Sequence, residues 1–175
     1  MTHTIFSRKT VFNGHAFDVE NLQVRLPDGR ERAYDLVSHK DSVTLVPLDG
    51  NGNVWFVSQY RMGCECQMLE LPAGVMDDGE TPEACAAREI REEIGMAAVS
   101  LRLLGSVYLA AGYSSEINHI FLATDLTHAP LEMDVDEFLD VKRFSVGEVW
   151  KMIEKGELID SKSLAALLLA RAYLK

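Results

Sequence analysis

The sequence predicts an α/β fold, and three features carry that prediction. Short runs of alternating apolar and polar residues, punctuated by turn residues, fill the first third of the chain; a period of two is the mark of half-buried strands. A capped, amphipathic helical stretch runs from Thr81 to Ile94. Strand patterns resume beyond it, and two further helical segments follow. Interleaved elements of this kind describe a sheet covered by helices.

In chain order, Val11-Phe12 and Ala16-Phe17 flank Asn13-Gly14, a dipeptide that favours a tight hairpin. Val19 to Leu26, where Leu22, Val24 and Leu26 alternate, leads into the turn Pro27-Asp28-Gly29, and Arg32 to Val37 returns. Val43 to Val46 is an apolar strand that Pro47 ends, because proline cannot donate to a ladder. Asp49-Gly50-Asn51-Gly52 turns the chain into the strand Val54 to Val57. Residues 1–40 are expected to form N-terminal antiparallel strands, a candidate dimerisation subdomain, and residues 41–175 the main domain.

For the middle helix, Thr81 is the N-cap, Pro82 suits the first helical position, and Gly95 suits the left-handed residue past the end. No Glu or Gln stands three residues after Thr81, so no capping box is present. Ala86, Ala87, Ile90 and Ile94 form an apolar stripe, while Glu89, Glu92 and Glu93 share another face. Leu101 to Leu109 and Ile117 to Ala123 read as strands joined by a loop over 110–116. Ser145 and Glu148 make a capping box for a helix through Trp150 and Ile153, ending near Gly156. Asp160 caps a last helix, Ser161 to Leu174, with Leu164, Leu167, Leu168 and Ala172 facing the core.

Composition narrows the function classes. With 17 basic against 27 acidic residues the net charge is −10, so the overall basic footprint of a long-nucleic-acid binder is missing. A small anionic substrate stays open, since a divalent cation held by carboxylates inverts the local field. A hydrophobic content of 47% suits a folded protein rather than a disordered one. No apolar run is long enough for a transmembrane helix, and Met1-Thr2-His3-Thr4 lacks a signal-peptide pattern; no membrane partner and a cytoplasmic location are the expectation. Cys64, Cys66 and Cys85 are odd in number and follow no disulfide framework. Cys64-x-Cys66 has no second Cys or His pair at the spacing of a structural zinc site.

Chemistry concentrates between Gly74 and Met96, where Glu80, Glu89, Glu92 and Glu93 crowd together with Arg88 and Arg91. Like charges three or four residues apart on a helix cost a few tenths of a kcal/mol per pair, which the two arginines can offset. One reading is a solvated acidic face. The other is a set of hard oxygen ligands for Mg²⁺ or Mn²⁺, favoured by a glycine-bounded loop, Gly74 to Gly79, that can bring backbone groups to the ion.

This stretch resembles the Nudix hydrolase signature: Gly, five residues, Glu, seven residues, Arg-Glu, a bulky aliphatic residue, any residue, Glu-Glu, any residue, Gly and a bulky aliphatic residue. Gly74, Glu80, Arg88, Glu89, Ile90, Glu92, Glu93, Gly95 and Met96 meet every fixed position. The resemblance implies an α/β/α sandwich with a mixed central sheet and an attached N-terminal antiparallel sheet. It also implies metal-dependent hydrolysis of a nucleoside diphosphate linked to another group. Gln59-Tyr60-Arg61 followed by Glu70-Leu71-Pro72-Ala73-Gly74 resembles the ADP-ribose and nucleotide-sugar pyrophosphatase branch. Alone, Arg61 would read as a surface arginine; in that branch the matching Arg contacts substrate, as a planar guanidinium suits phosphate. There the carbonyl matching Ala73 and the carboxylates matching Glu89 and Glu93 hold the metal, with Glu92 completing the shell, and the residue matching Arg88 orients the carboxylates.

Within the loop over 110–116, ADP-ribose hydrolases often carry Pro-Gly where this chain has Ala111-Gly112. Tyr113 either stacks on a base or fills the loop, and Glu116 is either a further substrate contact or an exposed carboxylate. The branch often takes a catalytic carboxylate from the region of Glu132, Asp134, Asp136, Glu137 and Asp140, where Glu137 matches best; otherwise Glu92 or Glu93 is the base. The expected activity is hydrolysis of ADP-ribose or a related nucleoside diphosphate sugar to a nucleoside monophosphate and a sugar phosphate, by a homodimer using Mg²⁺ or Mn²⁺. The rivals are a nucleoside triphosphate or dinucleoside polyphosphate hydrolase and a nucleotide sensor without turnover.

Overall fold

The computed structural model describes residues 2–132 and 138–175. The chain divides into two compact units, one running up to Asp41 and including Tyr108–Ile117, the other made of Ser42–Val107 and Asn118–Lys175.

In the first unit, β1 (Thr4–Asn13), β2 (Asp18–Arg25) and β3 (Glu31–Ser38) form an antiparallel sheet in the order β1-β2-β3. Asn13 remains in the ladder opposite Asp18, so the β1–β2 connection is the four-residue loop over 14–17 rather than a tight Asn13-Gly14 turn. The Gly14 N–H closes it by donating to the Phe17 carbonyl at 3.1 Å. Leu22 and Val24 of β2 are buried, as their alternation predicts, whereas all ten residues of β1 are exposed. The segment Tyr108–Ile117 is tied to β3: the Val37 N–H donates to the Tyr113 carbonyl at 2.7 Å, and the Ser115 N–H to the Val37 carbonyl at 3.0 Å.

The second unit contains β4 (Ser42–Pro47), β5 (Asn53–Arg61), β6 (Cys66–Glu70), β7 (Ala73–Val75), α1 (Pro82–Ile94), β8 (Met96–Tyr108), β9 (Ile117–His128), β10 (Asp140–Ser145), α2 (Val146–Glu154) and α3 (Ser161–Ala170). One sheet has the order β7-β4-β9-β8; β4 runs parallel to β9 and antiparallel to β7, so the sheet is mixed. The second sheet, β10-β5-β6, is antiparallel. Period-two alternation in β4 and β9 sends side chains to opposite faces. Val46, Ile120 and Leu122 join a core with Val149 of α2 and Leu167 and Ala170 of α3. Val43, Leu45, Phe121 and Ala123 join another with Cys85, Ala86, Ile90 and Ile94 of α1. This is the α/β/α layering expected from the sequence.

Local signals explain the helix ends. Thr81 caps α1 by accepting from the Ala84 N–H at 3.2 Å, and Gly95 takes the left-handed conformation at φ 69°. The apolar stripe differs by one residue: Ala87 is exposed and Cys85 is buried in its place. The last helix stops at Ala170, short of Leu174, and its buried face is Ser163, Ala166, Leu167 and Ala170. Leu168, one helical step of about 100° beyond Leu167, points outward and is 66% exposed. Among the described residues no helix is long and apolar enough to cross a membrane.

Candidate active site

The signature glycine acts through contact. β7 pairs with β4, Ala73 opposite Thr44 and Gly74 opposite Val43, which brings the Ala73-Gly74 backbone beside α1. A Cβ built on Gly74 would stand 1.9 Å from the carboxyl carbon of Glu89. The Glu89 carboxylate therefore occupies space that any other residue at 74 would fill. One turn later, Oε2 of Glu93 accepts the Ala73 N–H at 2.9 Å. Both carboxylates are buried, Glu89 at 7% exposure and Glu93 at 2%.

Arg88 gathers the remaining charges. Its Nη1 donates to Glu89 Oε1 at 2.7 Å and to Glu92 Oε2 at 2.8 Å, while Nε and Nη2 donate to the two oxygens of Glu80 at 3.0 and 2.9 Å. Nη2 also reaches the Val75 carbonyl at 3.3 Å, fastening the loop before the helix. The Arg88 hydrogen bonds, chiefly, hold the Glu80 carboxyl down at about 2, although partial burial opposes this. The like-charge repulsion expected along this helix is thus offset largely by one guanidinium. Arg91 donates its Nε–H to the Ala129 carbonyl at 2.9 Å, anchoring the chain beyond β9.

A second charged cluster lies at the ends of β5 and β6. Arg61 forks onto Glu70, Nε to Oε1 at 2.6 Å and Nη2 to Oε2 at 2.7 Å, leaving Nη1 out of that pair. Glu70 is only 1% exposed, and Lys162 at the start of α3 donates to it as well. Lys162 also pairs with Asp160 at 3.0 Å. Asp160 in turn accepts from the N–H and hydroxyl of Ser163, whose Oγ accepts the Leu71 N–H at 2.8 Å. Burial pushes the Glu70 carboxyl up, but the Arg61 fork and the Lys162 charge outweigh it and hold the group below its ordinary range. The Glu70 bonds raise Arg61 against burial, with the charges of Glu93 and Asp160 adding to them. Arg61 is therefore close enough to α1 to feel the charge of Glu93.

The sequence quoted Glu70 within a motif and Asp160 as a cap, but missed their joint role and missed Lys162. Glu70 had a signal in its closeness to Ala73-Gly74. Lys162 had none, because its partner lies 92 positions away.

Tyr113 and Glu116 belong to the first unit. Tyr113 is 62% exposed. Glu116 is not the exposed loop carboxylate of one reading: its side chain is largely covered and stands 4.0 Å from His39 Nδ1. Glu137 lies outside the described residues.

Among the described residues, no group of three His, Cys, Asp or Glu side chains already converges as a metal centre, and Arg88 is what gathers the carboxylates. The donor set nonetheless fits a hard divalent ion. Glu89 and Glu93 are held rigidly against the Ala73-Gly74 backbone, with Glu92 on the same helix and a main-chain carbonyl at Ala73.

Residues 38–167 match the model of the NUDIX domain family. An ADP-ribose pyrophosphatase of Bacillus subtilis (strain 168) is 32% identical over 163 residues, covering 92% of this chain and 88% of its own. An ADP-ribose pyrophosphatase of Mycobacterium tuberculosis (strain ATCC 25618 / H37Rv) is 34% identical over 169 residues, covering 95% and 82%. A crystal structure of an ADP compounds hydrolase matches with a TM-score of 0.89 at 28% identity, covering 99% of this chain and 95% of that one.

Proposed function

The chain belongs to the NUDIX family and is a Nudix hydrolase, and we propose that it cleaves the diphosphate of ADP-ribose or a related nucleoside diphosphate sugar. The products are a nucleoside monophosphate and a sugar phosphate. The observation that carries this reading is the pairing, in one unit, of two buried carboxylates on the Ala73-Gly74 backbone with a guanidinium fixed at the ends of β5 and β6.

Glu89, Glu93 and the Ala73 carbonyl, joined by Glu92, would hold Mg²⁺ or Mn²⁺. When bound, such an ion neutralises phosphate charge and acidifies a coordinated water. The protein's own groups divide the remaining work. Arg88 fixes Glu89 and Glu92 in orientation and ties them, through Glu80, to the loop. Arg61 presents Nη1 to a phosphate or sugar oxygen while Glu70 locks the rest of its fork. The proton of the attacking water goes to Glu137, or otherwise to Glu92 or Glu93. For Glu137, Tyr113 and Glu116 the assignment rests on the sequence alone. A homodimer in the cytoplasm completes the proposal.

A substrate panel tests it: ADP-ribose, other nucleotide sugars, nucleoside triphosphates and dinucleoside polyphosphates, each with Mg²⁺ and with Mn²⁺. The expected outcome is the highest kcat/KM on ADP-ribose or another nucleotide sugar, with monophosphate and sugar phosphate released in equal amounts. Preference for a triphosphate would overturn the substrate assignment. Binding of nucleotide without any turnover would instead identify a sensor.

A further inference from the structure

We propose that Cys64 and Cys66 form an oxidation site, a dithiol that a small disulfide converts into an intramolecular disulfide at the tip of the β5–β6 hairpin. The sequence supplies only the spacing. In the structure the two sulfurs lie 3.2 Å apart, with the Cys66 thiol donating to Cys64 Sγ. A disulfide bond is about 2.05 Å long, so the sulfurs need approach by only about 1 Å to close it.

The hairpin tip is shaped for this. Glu65, between the two cysteines, sits at φ 52°, the left-handed region that non-glycine residues seldom enter. That kink turns the side chains on either side of it towards each other. The Cys64 N–H donates to the Arg61 carbonyl at 3.3 Å, and the Cys64 thiol points at the same oxygen at 3.5 Å. Cys64 is exposed and Cys66 half-buried, so an external reagent meets Cys64 first. The hydrogen bond to Cys64 raises the Cys66 thiol above its ordinary range, so less Cys66 thiolate is present to compete for the first attack. Cys85 does not compete: it is buried in the α1 core, and burial pushes its thiol far up. The proposed hydrolysis uses neither Cys64 nor Cys66.

The chemistry balances as two exchanges with glutathione disulfide. The Cys64 thiolate attacks one sulfur of the reagent, forming a mixed disulfide and releasing one glutathione thiolate. Cys66 then loses its proton and attacks Cys64 Sγ, forming the Cys64–Cys66 bond and releasing the second glutathione thiolate. The two protein thiols lose two electrons, the reagent gains them, and both protons end on glutathione.

The site has a route to the substrate arginine, a point that rests on the proposed role of Arg61. Cys66 is the ladder partner of Arg61 across the hairpin, and Cys64 is bonded to the Arg61 carbonyl. Drawing the sulfurs together therefore pulls on the backbone that carries the Glu70-bound guanidinium.

The full chain is equilibrated in glutathione redox buffers, quenched with an alkylating agent and read by intact mass and peptide mapping. Expected is a species lighter by two hydrogens, with a 64–66 cross-link and Cys85 alkylated after unfolding. Cys66→Ser should stop at the glutathione mixed disulfide on Cys64. A wild-type chain that accumulates the mixed disulfide, or stays fully alkylated in excess glutathione disulfide, overturns the site. These readouts need no substrate, so they stand apart from the hydrolase assignment. In the kinetic arm, the oxidised chain should show KM for its best substrate raised roughly threefold or more, with kcat little changed. Cys64→Ser should be insensitive to the oxidant. A disulfide that forms without moving KM overturns the coupling to Arg61 and leaves the covalent site supported.

Discussion

At the scale of single residues, the site depends on which charges face which. Glu93 is buried and bonded to the Ala73 N–H, so Glu93→Gln keeps the shape and removes the charge. Turnover should fall on the order of a hundredfold or more, with Mn²⁺ affinity lost in parallel and the circular dichroism spectrum unchanged. Glu137→Gln separates the two candidate bases. If Glu137 takes the proton, single-turnover rates fall strongly while Mn²⁺ binding is retained; if Glu92 or Glu93 does, the variant is nearly silent. Glu80 makes a pH prediction. Its folded carboxyl is held at about 2 against an ordinary 4.5, mainly by Arg88, so the pairing favours the ionised form. A depressed folded value gives stability that is complete above the unfolded value and lost as pH falls through the folded one. Wild type should exceed Glu80→Gln by roughly 2 kcal/mol in urea unfolding at pH 7, the scale of charged hydrogen bonds. The gap should begin to close near pH 4.5 and be gone near pH 2.

At the scale of elements, what could be read in advance depended on how local its cause was. The start of α1 follows from Thr81 and Pro82 and its end from Gly95, all neighbours in sequence. Thr81→Ala should cost about 1 kcal/mol in thermal or urea unfolding, because it orphans the Ala84 N–H. The loss should appear in stability with little change in kcat, since the Thr81 hydroxyl serves the Ala84 N–H at the helix start. The capping box of α2 was equally legible, both of its bonds being made within Ser145 to Glu148. The face of α3 was not. Leucine content pointed to Leu168, but the position of the neighbouring sheet decides which side of a leucine-rich helix is buried, and that side carries Ser163, Ala166 and Ala170. The carboxylate set of α1 was visible as a motif. That Arg88 gathers Glu80, Glu89 and Glu92, and that Glu89 rests against Gly74, needed coordinates, because side-chain direction is not contained in spacing.

At the scale of the whole molecule, the first unit raises the question of association. Ile5, Phe6, Val11 and Phe12 of β1 are each about half exposed, at 50, 49, 56 and 56%. A run of apolar side chains on an outer strand is a surface that soluble proteins usually cover. The proposed homodimer should sediment at twice 19.5 kDa, and Phe12→Asp should shift it towards the monomer mass while the second unit keeps its fold. The second unit has a reach that its signature does not reveal. Every signature residue lies between Gly74 and Met96, yet Glu70 is neutralised from the far side by Lys162, and Leu71 is pinned by Ser163. A fragment cut before Asp160 would therefore still match the signature while leaving Glu70 one counter-charge short and the backbone before Ala73 untethered. For anyone trimming this protein for expression or fusing a partner to it, the shortest usable piece of the second unit runs at least to Ser163, well past Met96, the last residue of the signature.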